Sequence, residues 1–302
     1  MPAKRSVEVR TVAVQIHTIP LPDLAPNVVM SNAEILFRKA NSAPDADGYA
    51  LDLKHQVCIC PYGVLAVLHL ARVLSERSGK HVEVVGVPST VHSYLHRVGL
   101  FEKGASWLNC SQTLEYEWSR VADSPNVLDI TFVQGWGDVT DVVTRVENIF
   151  SRWLSDDEVG HLITILSELC TNIHKHSTDA NGCVIAQKYE MNSSDYVKVC
   201  VGVADLGIGI RRSLSQAHAN LPAGESACLQ AAVNGLSARG VGRIGTGLSN
   251  AAKIAHRHGG HLLLRSHTAR LILRPNKIEP LDKQPFFAGT QLAIEFRAPS
   301  KI

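Results

Sequence analysis

The sequence predicts an α/β protein of two domains, on three observations. The first half alternates apolar strand-like runs with helical patterns, which implies an α/β layer around a small sheet. In the second half Leu162, Leu166, Leu169 and Ile173 recur at helical spacing, so 157–176 reads as an amphipathic helix, with apolar strands after it. The chain has 302 residues, 45% of them hydrophobic, which suffices for two cores; the length prior is about two domains.

Taken in order, 31–40 is a helical pattern opening on the cap Ser31-Asn32. A strand at Tyr49 to Leu53, the apolar run Val57 to Cys60 and a helix at Gly63 to Ser78 follow. Next come the strand His81 to Gly86 and a helix from Pro88 or Ser89 to Val98. Residues 103–126, with Gly104, Ser106, Asp123, Ser124 and Pro125, read as the connector, which divides the chain into 1–120 and 121–302. Asp138 to Leu154 is the first helix of the second domain, Val197 to Val203 and Gln291 to Phe296 are strands, and Leu248 to His258 is helical. There is no internal repeat and no low-complexity tract.

Four motifs punctuate the second half. On the helix over 157–176, Glu168, Asn172 and His176 fall at i, i+4 and i+8 with Lys175 beside them, so one polar face carries a carboxylate, an amide and a cation. Asp205-Leu-Gly207-Ile-Gly209 follows an apolar strand and by itself is an ordinary turn. A glycine-rich stretch from Arg239 through Arg243, Gly245 and Thr246 to Gly247 leads into the helix that begins at Leu248. Amides exposed at a helix start suit a phosphate chain, with Arg239 and Arg243 as its partners. Gly289-Thr290 precedes the last strand. No G-x-x-x-x-G-K-[ST] run exists, which excludes the large class of phosphate-loop NTPases.

In this order the motifs resemble the nucleotide-binding domain shared by gyrase, Hsp90, MutL and the histidine kinases (GHKL), and more closely the anti-sigma-factor serine kinases, over roughly 127–302. The resemblance implies an α/β sandwich whose mixed sheet is covered by helices on one face. It implies ATP and Mg2+ as cofactors, with Asn172 holding the metal, Glu168 activating water and Asp205 reading adenine. Magnesium favours oxygen ligands shared with substrate phosphates. A carboxylate accepts from the exocyclic amine of adenine, whereas guanine presents a carbonyl there. Gly207 and Gly209 let the backbone turn beside the base; Gly245, Thr246, Gly247 and Leu248 lie against the phosphates; Thr290 completes the pattern. The segment between Gly209 and Gly245 stands where the family has its lid. The activity implied is ATP hydrolysis or serine phosphorylation in signalling, with a protein regulator or an anti-sigma-type substrate as partner and dimers common among relatives. The alternative is a nucleotide-switched interaction module with negligible turnover. A histidine autokinase is not expected, since no dimerisation helix with a phosphoacceptor histidine precedes the domain.

The order of elements over 45–102, with Leu51-Asp-Leu, Cys60-Pro-Tyr-Gly63 and Val98-Gly-Leu-Phe101, resembles the STAS domain of anti-anti-sigma factors. That family presents a phosphorylatable serine just before the glycine, and this chain has Tyr62 there. Docking, not phosphate acceptance, is therefore the expected role of the first domain.

Other features read blandly. Net charge of +2 gives no electrostatic reason for a nucleic-acid or membrane partner. The first twenty residues lack the apolar core of a signal peptide, and seven scattered cysteines suit a reducing compartment, so a cytoplasmic location is expected. Cys58-x-Cys60 reads as buried free thiols. His256, His258 and His261, beside Gly259-Gly260, read as cations at a helix end rather than zinc ligands. His174 needs no function, and the four tryptophans form no stacking platform.

Overall fold

The computed structural model describes residues 15–26, 28–113, 126–190, 195–238 and 247–301. Strand β1 (Ile16–Pro20), helix α1 (Val29–Ser42), β2 (Gly48–Asp52), α2 (Pro61–Ser78), β3 (Val82–Val85), α3 (Ser89–Arg97), α4 (Leu100–Lys103) and β4 (Leu108–Asn109) make the first layer. Its four strands lie in the order β1-β2-β3-β4, every pair parallel, which the helical crossovers between them permit. Pro61 opens α2, where its missing N–H costs nothing, and Gly79 closes it in the left-handed region at φ 67°.

The second layer holds β5 (Val127–Phe132), α5 (Trp136–Phe150), α6 (Asp156–Asn172), a π turn (Ile173–Ser177), β6 (Cys183–Glu190), β7 (Tyr196–Ala204), α7 (Gly209–Ser215), α8 (Glu225–Val233), α9 (Gly247–Arg257), β8 (His261–His267), β9 (Ala269–Arg274), β10 (Lys277–Leu281) and β11 (Phe287–Pro299). Ser155 caps α6 by accepting from the Glu158 amide at 3.3 Å, and Asp156, Asp157 and Glu158 complement the dipole in its first turn. Asp138 does the same for α5 through the Gln134 and Gly135 amides. The sheet order is β10-β9-β8-β11-β7-β6-β5. The resemblance implies a mixed sheet, yet each neighbouring pair is antiparallel.

Both faces of this sheet are covered, which is why its strands read as unbroken apolar runs. Side chains alternate across a strand. On β6, Val184 and Ala186 join the core formed with α5, α6 and α9, while Cys183 and Ile185 join the opposite core. On β8, Leu262 and Leu264 divide from Leu263 in the same way. Helix α2 fills the second face. From Pro61 through Arg72 every residue of α2 is buried, because the four-stranded sheet flanks it on one side and β6 and β7 on the other. Truncating a core residue such as Leu65 or Leu68 to alanine would cost about 2–5 kcal/mol.

The two layers therefore share one core cluster, running from Ile19 through α2 to Ala293. A buried ion pair joins them as well: Arg265 on β8 donates to both Glu34 oxygens on α1, at 2.9 and 3.3 Å, and stacks over Phe37. Tyr62 is buried in the first turn of α2. The expected division at 120/121 falls among residues outside the described ones. No helix among the described residues is long and apolar enough to cross a membrane.

Candidate functional site

A cleft opens between the sheet and the helices α6, α7 and α9. Glu168 and Asn172 line it from α6, His176 from the π turn, Asp205 from the end of β7, Gly209 from α7, Gly247 and Leu248 from α9, and Thr290 from β11. Helix α9 abuts α6 closely: a β-carbon on Gly247 would lie 3.0 Å from the Glu168 β-carbon and 3.4 Å from Asn172 Nδ2.

Asp205 is the most constrained polar group of the cleft. Its Oδ1 accepts from the amides of Gly207 at 2.8 Å and Thr290 at 3.3 Å, so Oδ2 is the oxygen left to meet a ligand. Burial raises its carboxyl to about 7, and the neighbouring Asp179 adds to this, against the lowering pull of those two amides and of Arg72. The backbone around it leaves no room for side chains. A β-carbon on Gly207 would stand 1.6 Å from the Ser177 carbonyl oxygen, and one on Gly289, at φ 75°, 2.0 Å from the Asp205 carbonyl oxygen. Both glycines serve to pack three chain segments around one carboxylate.

Asp179 supports that turn from behind. It accepts the Leu206 amide at 2.7 Å, and it is held by Arg72 of α2 through two bonds at 2.7 and 3.0 Å. Burial alone would raise the Asp179 carboxyl; the Arg72 and Leu206 bonds outweigh it and hold it below the ordinary carboxylate range.

Lys175 does not line the cleft. Helix α6 ends at Asn172, and the chain continues as a π turn in which each residue advances by less than the α-helix's ~100°, so Lys175 falls away from the Asn172 face. Its ammonium lies 4.7 Å from the centre of the Trp136 ring, and His174 bonds the Gln134 carbonyl. Gly207 braces Asp205 rather than lining the cleft. Arg239, Arg243, Gly245 and Thr246 lie outside the described residues. Ile210, Ser213, Leu214, Leu236 and Ser237, which the motifs do not mark, also line the cleft; they stand in a mostly polar segment whose pattern carries no signal for them.

Residues 157–298, a little under half of the chain, match the model of the family described as histidine kinase-, DNA gyrase B-, and HSP90-like ATPase. That segment is similar to this family. Its limits contain the whole cleft, from Glu168 to Leu292. No curated protein matches the chain in sequence.

In the matched segment the donor set suits a hard cation beside a phosphate chain. The Asn172 amide offers one oxygen, and an amide start at Gly247 faces the same space. Magnesium bound there would neutralise phosphate charge.

Proposed function

We propose that the chain is a Mg-ATP-binding regulator that hydrolyses ATP or transfers its phosphoryl group to a protein hydroxyl. The observation that carries this is Asp205, a buried carboxyl at the base of a family-matched cleft with one oxygen held by backbone amides and the other left for a base. Adenine's exocyclic amine donates to such an oxygen. Guanine would set its carbonyl against it.

Around that anchor each residue has one task. Asn172 carries the magnesium through its carbonyl oxygen, Gly247 and Leu248 offer the start of α9 to the phosphates, and Glu168 takes the proton from the attacking water or hydroxyl. Phosphoryl transfer needs chiefly positioning and charge stabilisation, so the same arrangement serves hydrolysis and serine phosphorylation alike. The resemblance to anti-sigma serine kinases favours a signalling role with a protein partner. Free thiols throughout, most of them buried, fit a cytoplasmic setting.

One observation favours a second reading, in which ATP acts as a conformational ligand with negligible turnover. The Arg72–Asp179–Leu206 chain connects α2 directly to the turn beside Asp205, so nucleotide at the cleft is felt by the first layer. Phosphate release from purified protein separates the two. The enzyme reading expects release that falls by about 10²–10⁴ in Glu168→Ala; equal rates in both proteins would leave the binding module.

A further inference from the structure

At the end of the α6/α9 pair remote from the cleft, three side chains converge. Glu158 in the first turn of α6, His161 one turn on, and His258 just past the end of α9 place Glu158 Oε2, His161 Nδ1 and His258 Nε2 all within 4.8 Å of one another. The separations from Glu158 Oε2 are 3.0 Å to His258 Nε2 and 3.8 Å to His161 Nδ1. All three atoms are sealed from solvent, and none makes a hydrogen bond. His258, with only 10% of its side chain exposed, is aimed into this cluster and packs its ring on Phe296. Buried polar atoms normally find hydrogen-bond partners; here the 3.0 Å Glu158–His258 ion-pair contact carries no aligned hydrogen bond, so the three atoms converge as a candidate ligand set.

We infer that Glu158, His161 and His258 form a binding site for a divalent transition ion of the zinc class, separate from the nucleotide cleft. The donor set is two imidazole nitrogens and one carboxylate oxygen. Imidazole selects zinc-like ions over magnesium and calcium, and three protein ligands leave a fourth position for water. Metal–ligand bonds of ~2.0–2.2 Å in tetrahedral geometry put ligand atoms about 3.3 Å apart, which side-chain rotation reaches from the observed spacings. Helix carbonyls at the end of α9 add a favourable field for a cation.

The exposed Arg257 opposes binding. Its guanidinium sits 3.1 Å from His161 Nε2 and donates to it, which holds the imidazole proton on Nδ1. Metal on Nδ1 moves that proton to Nε2 and turns Arg257 outward. Ten residues of α6, about 15 Å, separate Glu158 from Glu168, so the ion takes no part in the chemistry of the cleft. Instead it ties the outer ends of two helices whose inner ends, Asn172 and Gly247, flank the nucleotide.

The test is Co2+ and Zn2+ titration of chelator-treated full-length protein, read by the visible absorption of four-coordinate cobalt and by competition with zinc. Wild type is expected to take up one Co2+ per chain. His161→Asn and Glu158→Gln should each lower zinc affinity by more than the ~10–100-fold that loss of a merely supporting group costs. Arg257→Ala should bind more tightly than wild type, and all three should keep wild-type ATP affinity. His161→Asn lies on a half-buried surface and keeps the fold, which circular dichroism verifies. Zinc affinity unchanged in both ligand variants, or no four-coordinate cobalt spectrum in wild type, would overturn the assignment.

Discussion

Arg72 and Asp179 form a two-bond ion pair, with 5% and 7% of their side chains exposed, between the helix that fills the second face of the large sheet and the loop that supports the Asp205 turn. Arg72 Nη1 also donates to the Asn181 carbonyl, and the guanidinium lies over Trp107. The pair links the two layers behind the Asp205 turn.

Arg72→Ala leaves a buried carboxylate without its counter-ion, so unfolding by urea should show a loss of about 3–5 kcal/mol. Because the Asp179 carboxyl is lowered in the folded state, its contribution is present above the unfolded value of 3.8 and is lost as pH falls through the folded one. The Arg72 deficit should therefore be full at neutral pH and shrink in strong acid. A deficit that persists undiminished in acid would place the effect in packing instead.

Asp205 has the opposite sign. Its folded carboxyl is raised to about 7 from 3.8, so between those values the unfolded chain has shed a proton that the folded one keeps. Stability of the ligand-free protein should fall as pH rises across that window, by roughly 4 kcal/mol in all, and Asp205→Asn should remove the slope. Adenine, donating to the ionised carboxylate, should bind about tenfold more weakly for each pH unit below about 7. Calorimetric titration from pH 5 to 8 checks both trends.

Asn172 and Glu168 share one helix face and should divide by readout. Asn172→Ala should lose the magnesium-dependent part of nucleotide affinity, seen by titrating with and without EDTA, because the amide oxygen is the proposed ligand. Glu168→Ala should keep that affinity and lose turnover. If Asn172→Ala binds equally well with and without magnesium and as tightly as wild type with it, the metal assignment fails.

Most elements were legible because local pattern and tertiary environment agree in them. The helices at α1, α2, α3 and α9 and the strands at β2, β3 and β7 follow from apolar periodicity; α1, however, begins at Val29, so Ser31 and Asn32 lie inside it rather than capping it. What the pattern did not reveal is nonlocal. The π turn that takes Lys175 out of the cleft depends on the loop from Ser177 to Gly182 packing under the Asp205 turn. The strand order that brings Gly289 within reach of Asp205 depends on β11 inserting between β7 and β8. Likewise, Glu158 and His258 are a hundred residues apart, and only the antiparallel contact of α6 with α9 makes them neighbours. A histidine at a helix end is indistinguishable in sequence from a dipole cap.

Adenine recognition by Asp205 is the central claim, and nucleotide-dependent thermal unfolding tests it most directly. With Mg-ATP at a hundredfold excess over its dissociation constant, the folded state should gain about 2.7 kcal/mol, while Mg-GTP at the same concentration should leave the transition close to that of the free protein. Asp205→Asn should abolish the difference between the two nucleotides. Equal shifts with ATP and GTP in the wild-type protein, or no shift with either, would contradict the account.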